Sequence, residues 1–102
     1  MGTGKRKEKE VIKVQIVKYN GKPWELIPFI QRHAGKVIAI DMQKRRVECV
    51  FVGIADEAYR NNVQLIIYNA GDVCKTFQSY LKDHTHVGVY ENTPAVVKKY
   101  LT

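Results

Sequence analysis

His84 and His86, separated by Thr85, are the nearest thing to a metal-ligand pair in a chain of 102 residues, with Cys74 a short distance upstream. A metal needs three or four ligands converging at about 2.0–2.3 Å, and a histidine at a helix end beside one at a strand start does not supply that. Both read as solvated or hydrogen-bonded side chains, and no metal or cofactor is expected. Cys74 falls in the first turn of an expected helix, where the positive dipole end lowers a thiol pKa. Asp72 opposes that effect, and the nearest base, His84, lies almost three turns further on, about 15 Å along the axis. Asp56 and Glu57 are adjacent on a connector, and neighbouring positions on a helix do not face each other. Gly4-Lys5 lacks the strand before it and the helix after it that a phosphate-binding loop requires. With no acid, base and nucleophile converging, the chain reads as non-enzymatic.

Charge is the stronger signal. Seventeen Lys and Arg against ten Asp and Glu leave +7, which points toward anionic partners. Residues 1–10 carry +2, residues 11–52 carry +5, residues 53–62 carry −1 and residues 63–102 carry +1. Lys44, Arg45 and Arg46 sit together in a turn, and Lys5, Arg6 and Lys7 in the first ten residues, with Lys18, could join them on phosphates. Cys49 and Cys74 are too few for a disulfide scaffold. In an ordinary cytosol they are two reduced, half-buried thiols, whereas in a hyperthermophile a bridge is credible and chain entropy values it at roughly 3.5 kcal/mol.

These residues need elements to hold them. Residues 1–10 have almost no apolar side chain and form a flexible basic arm. Val11 to Lys18 alternates and is β-branched, a strand; Asn20-Gly21 makes a turn. Leu26, Phe29, Ile30 and His33 recur at helical spacing, with Pro28 tolerated only if the helix begins near Glu25 or Leu26. Val37 to Asp41 is a second strand and Arg46 to Val52 a third, across a turn at Gln43 to Arg45. A short helix is expected around Asp56 to Arg60. The strand Val63 to Tyr68 follows, then a helix capped by Asp72 and running through Asp83, and the strand His86 to Glu91. Thr93-Pro94 announces a helix where a repeat would ask for a strand, so residues 94–101 stay open between the two.

A repeat is expected because residues 14–20 return as residues 63–69 with four identities and two aliphatic exchanges. More loosely, Leu26, Phe29, Ile30 and His33 match Phe77, Tyr80, Leu81 and His84. Self-similarity at one spacing speaks of architecture. The expected fold is a compact single α/β domain over 11–102, made of two βα-containing repeats (11–52 and 63–102) joined by the connector 53–62. A pseudo-twofold axis would relate them, because neither half is large enough to fold without the other. The alternative is a ferredoxin-like βαββαβ order with a C-terminal extension.

Across its length, and in residues 14–24 (VQIVKYNGKPW) and 63–72 (VQLIIYNAGD), the chain resembles small proteins of filamentous viruses that infect the archaeon Acidianus. That resemblance implies a viral protein in a hot host cytoplasm, with no assigned activity and no catalytic residue to carry over. An intracellular, soluble chain is also the expectation from the lack of an eighteen-residue apolar run or a cleavable leader pattern.

Both copies of the first strand place Gln, a β-branched residue and Tyr on alternate positions, a half-polar, half-aromatic surface of the kind protein contacts favour. The leading functional expectation is therefore an interaction module that holds a peptide or protein segment in the groove between the repeats, partly by strand addition. Gln15, Tyr19, Gln64 and Tyr68 would make the polar contacts and Trp24 an apolar anchor. The competing expectation is an electrostatic nucleic-acid binder using Lys5, Arg6, Lys7, Lys18, Lys44, Arg45 and Arg46.

Overall fold

The computed structural model describes residues 13–101, so the expected basic arm, with Lys5, Arg6 and Lys7, lies outside the described residues. Four strands, β1 (Val14–Lys18), β2 (Val37–Asp41), β3 (Gln64–Tyr68) and β4 (Val87–Val89), pair in the order β1-β2-β3-β4. Every pairing is parallel. Parallel neighbours need crossover connections. The chain supplies α1 (Leu26–Arg32), α2 (Phe51–Arg60) and α3 (Lys75–Asp83), and ends in a short α4 (Ala95–Lys98).

Crossovers of one hand that always step in one direction leave their helices on one face of the sheet. The packing agrees. Leu26 and Ile30 of α1, Phe51, Ile54, Ala55 and Ala58 of α2, and Phe77 of α3 share one buried cluster with Ile38, Ile40, Leu65 and Ile67 of the sheet. The opposite face holds a smaller cluster of Val14, Ala39 and Tyr68 closed by Val97 of α4. The central strand β2 therefore has Ile38, Ala39 and Ile40 all buried, as expected of a parallel strand covered on both sides. None of the described helices is long and apolar enough to cross a membrane.

Several expectations give way here. A wholly parallel sheet is not the ferredoxin-like alternative. Arg46 to Val52 is not a third strand: Val47 alone bridges Val73, and Phe51 opens α2, whose buried Phe51, Ile54, Ala55 and Ala58 follow helical spacing. The strand-favouring run Val50-Phe51-Val52 misled because that stripe outweighs local propensity. Asp72 does not cap α3; its carbonyl accepts from the Val47 N–H at 2.8 Å, and Cys74 holds the cap. Thr93-Pro94 does start a helix, α4. Pro28 sits in the first turn of α1, after a single 3-10 turn at Pro23–Glu25.

The chain does run β-α-β-α twice, yet the halves do not meet across a twofold. Parallel strands of one sheet with their helices on one face are related by a lateral step, and α4 crosses to the face that α2 leaves bare. The register adds a second break. Val14 is level with Val37 and Gln64, one residue out of step with the sequence echo that matches Val14 to Val63. A one-residue slip sends a side chain to the other face. Tyr19 therefore lies among the helices and Tyr68 beneath the sheet.

Candidate functional site

In open α/β sheets, ligands bind outside the carboxyl ends of the strands. Four parallel strands bring their ends to one edge here: Lys18 to Gly21 after β1, Asp41 to Arg46 after β2, Asn69 to Asp72 after β3 and Tyr90 to Thr93 after β4. The Asp41 carboxylate organises the middle. Its Oδ1 accepts from the Gln43 backbone N–H at 2.9 Å and from Asn69 Nδ2 at 3.1 Å. A side-chain acceptor two residues back is what allows a turn to pass through left-handed backbone. Gln43 and Lys44 take φ 53° and 71°, and Asn69 takes φ 54°. Gln43 Nε2 then donates to the Tyr19 carbonyl at 2.9 Å, tying the end of β1 to the β2 loop.

That loop is a strap and not a free turn. Lys44 N donates to Asn69 O at 2.7 Å, Gly71 N to Arg45 O at 2.9 Å, Val47 N to Asp72 O at 2.8 Å and Cys74 N to Val47 O at 3.0 Å. The β2–β3 pairing thus continues past the strand ends, and Lys44, Arg45 and Arg46 are displayed from a fixed backbone. All three are exposed, as are Lys18 and Lys22. Among the described residues none of the five forms a salt bridge; the pair within range is Arg60 with Glu57. The Arg45 guanidinium reaches toward Gly21, whose Cβ, if present, would lie 3.5 Å from Nη1. Between the β1 and β2 ends lies an open concavity of about 360 Å³, lined by Tyr19, Gly21, Pro23, Arg45, Arg46 and Glu48 among others. Trp24 follows Pro23 and is 67% exposed.

The five side chains expected to hold a peptide are not brought together. Tyr19 is 7% exposed, packed edge to face on Phe51 at 5.1 Å between ring centres, and burial first, then Glu48, raises its hydroxyl pKa against the pull of Arg45. Tyr68 is 1% exposed on the opposite face, its pKa raised by burial and by Asp41. Gln15 is level with Ile38 and Leu65, whereas Gln64 is level with Val14 and Val37 on the other side. Trp24 is exposed in the 3-10 turn that follows the β1 loop, and Gln64 is exposed on β3.

The remaining candidates are held by structural partners. His84 Nδ1 lies 2.8 Å from the Tyr80 carbonyl and its ring stacks on Tyr80 at 3.7 Å; His86 Nε2 lies 2.8 Å from the Ala55 carbonyl. The Tyr80 hydroxyl donates to Asp56 Oδ1 at 2.8 Å, and burial together with that bond pushes its pKa up. Glu57 accepts from Gln31, Arg60 and Asn61, and these bonds, Gln31 first, lower its carboxyl pKa. Among the described residues no three His, Cys, Asp or Glu side chains gather as a metal group would.

No family model, curated protein or solved structure matches the chain. Residue roles therefore rest on geometry. Sequence reasoning named Lys18 and Lys44 to Arg46 for the basic edge but overlooked Lys22, which follows the Asn20-Gly21 turn, and Asp41 and Asn69, which fix the strap. It left open whether Cys49 and Cys74 are bridged; they adjoin as free thiols, with Sγ atoms 3.3 Å apart. A parallel bridge at Val47 and Val73 sets them side by side, and no spacing rule announces a bridge between two loops.

Proposed function

We propose that the carboxyl edge of β1 and β2 binds single-stranded nucleic acid, non-enzymatically and with little sequence preference. One observation carries the reading: Lys18, Lys22, Lys44, Arg45 and Arg46 stand exposed at the carboxyl ends of β1 and β2 or in the loops that follow, in no salt bridge among the described residues, and Arg45 and Arg46 line an open concavity there. Phosphates that replace the counterions of such cations release them to solvent, and this supplies most of the affinity of non-specific binders. Trp24, 67% exposed and next in sequence to Pro23 of that concavity, suits base stacking, which contributes about 1–3 kcal/mol per base and favours single strands over duplex. The peptide-groove reading has less support, because its glutamines and tyrosines divide between two faces and both tyrosine rings are buried. The viral, host-cytoplasmic setting implied by the sequence resemblance is part of this proposal.

Anisotropy with labelled single-stranded DNA and RNA of roughly twenty nucleotides, over a salt series, tests it. Five phosphate contacts give a slope of log K against log salt of about −3.5 on a single strand. Replacing Lys44, Arg45 and Arg46 with Ser should bring the slope to about −1.4, and Trp24→Ala should weaken binding about tenfold with the slope unchanged. Equal affinity in the triple variant, or a wild-type slope near zero, removes the proposal.

A further inference from the structure

The two cysteines come from the loops after β2 and β3, and their Sγ atoms lie 3.3 Å apart. A disulfide is about 2.05 Å long, so a small closure would join them. The strap fixes both ends, through Val47 N to Asp72 O and Cys74 N to Val47 O. The two sulfurs differ in surroundings. Cys49 is exposed, while Cys74 is 7% exposed and caps α3, its sulfur accepting from the Phe77 N–H at 3.4 Å. That N–H, then the Cys49 thiol, the Thr76 N–H and the charge of Arg46 lower the Cys74 pKa against its burial. An open concavity of about 370 Å³, lined by Arg46, Glu48, Cys49, Val50 and Cys74, gives solvent access to the pair.

We propose that Cys49 and Cys74 form a redox-active dithiol that exchanges with the disulfides of small thiol compounds, with Cys49 as the attacking and Cys74 as the resolving sulfur. Cys49 yields its proton to water, and its thiolate attacks one sulfur of the disulfide compound. That S–S bond breaks, and the first thiolate leaves and takes a proton from water. Cys74 then yields its proton to water and attacks the Cys49 sulfur, so the mixed disulfide breaks and the second thiolate leaves and is protonated. Two cysteine thiols lose two electrons and two protons; the compound gains both and becomes two thiols. An exposed attacker beside a buried resolver keeps the mixed disulfide short-lived. Hydrogen bonds that stabilise the reduced pair make its disulfide the more readily reduced.

The test uses the full chain equilibrated with graded ratios of glutathione to glutathione disulfide, quenched by alkylation and weighed intact. The expected oxidised product is monomeric, two hydrogens lighter and unalkylated, returns to the dithiol under reducing ratios, and melts about ten degrees or more higher. Cys74→Ser should trap glutathione on Cys49, and Cys49→Ser should gain at least about tenfold less. Two alkylated thiols at the oxidising end, disulfide-linked dimers in place of the intramolecular bond, or equal trapping in the two variants overturns the proposal. Where a Ser variant loses its melting transition, Ala at the same position replaces it, and the wild-type mass result stands by itself.

Discussion

Gly71→Ala is expected to loosen the basic strap and lower stability together. A Cβ at residue 71 would lie 2.6 Å from the Lys44 carbonyl oxygen and 3.2 Å from that of Arg45, both backbone atoms. Ordinary contact begins near 3.4 Å, so the Lys44 carbonyl must retreat by close to an ångström, and no side-chain rotation can relieve it. The bonds Lys44 N to Asn69 O and Gly71 N to Arg45 O span the same gap. Weakening them costs about 1 kcal/mol each, and overpacking strain adds about 1–2 kcal/mol, so the expected loss is about 2–4 kcal/mol. In a domain of this size that lowers Tm by about 10–25 °C. The control is Gly53→Ala, on the exposed face of α2 with no atom within 4 Å of its added Cβ. Removing a helical glycine should raise stability by about 0.5–1 kcal/mol. Circular dichroism melts read both variants, and the anisotropy assay reads whether Gly71→Ala also weakens nucleic-acid capture. A Gly71→Ala melt within about two degrees of wild type would refute the reasoning, since the strap would then be free to move.

Two further outcomes follow from the same packing. Val97 is fully buried beneath the sheet whereas neighbouring Val96 is 41% exposed, so Val97→Asp should cost about 2–3 kcal/mol in urea melts and Val96→Asp under about 0.5 kcal/mol; equal midpoints would mean α4 does not cover that face. Tyr80 has its folded-state pKa raised above the ordinary 10.0. Its contribution is therefore complete below pH 10 and is lost as pH rises through the folded value. Tyr80→Phe should lower stability near neutrality by about 1 kcal/mol through the lost bond to Asp56 and make the decline above pH 10 shallower. It should not abolish the decline, because Tyr19 and Tyr68 are raised in the same direction. An identical alkaline slope in wild type and variant would contradict the assignment.

Much of the architecture was legible wherever one physical signal acted alone. Val37 to Asp41 reads as a strand because it is buried on both sides, and the Pro28 constraint placed the start of α1 near Glu25 or Leu26, where Leu26 opens it. Failures came where two signals competed. Val50 to Val52, two valines around a phenylalanine, looks like a strand, and only the buried stripe from Phe51 to Ala58 reveals a helix. The echo between residues 14–20 and 63–69 was read as a shared face, but side-chain direction in a sheet belongs to register, and register is set by partners in β2 that no single strand encodes. A slip of one residue was enough to separate Tyr19 from Tyr68. The charged turn at Lys44 to Arg46 was legible as chemistry; its rigidity, which depends on Asp41, Asn69 and Gly71, was not.

That rigidity explains why the two halves diverge in charge while keeping the same element order. The β2 loop carries Lys44, Arg45 and Arg46, whereas the β3 loop beside it carries Asn69, Ala70, Gly71 and Asp72. A cationic loop repels itself, and three adjacent positive side chains would splay if the turn beneath them were loose. The β3 loop supplies the floor. Asn69 accepts left-handed backbone and bonds Asp41, Gly71 gives up its side chain so that the Lys44 carbonyl can approach, and Asp72 offers a carbonyl to Val47. A second basic loop in that place could not do the same, because long side chains would fill the space the strap occupies and like charges would oppose one another across it. One half therefore presents the cations and the other holds them in position, and the same strap that fixes Arg45 and Arg46 brings Cys49 against Cys74.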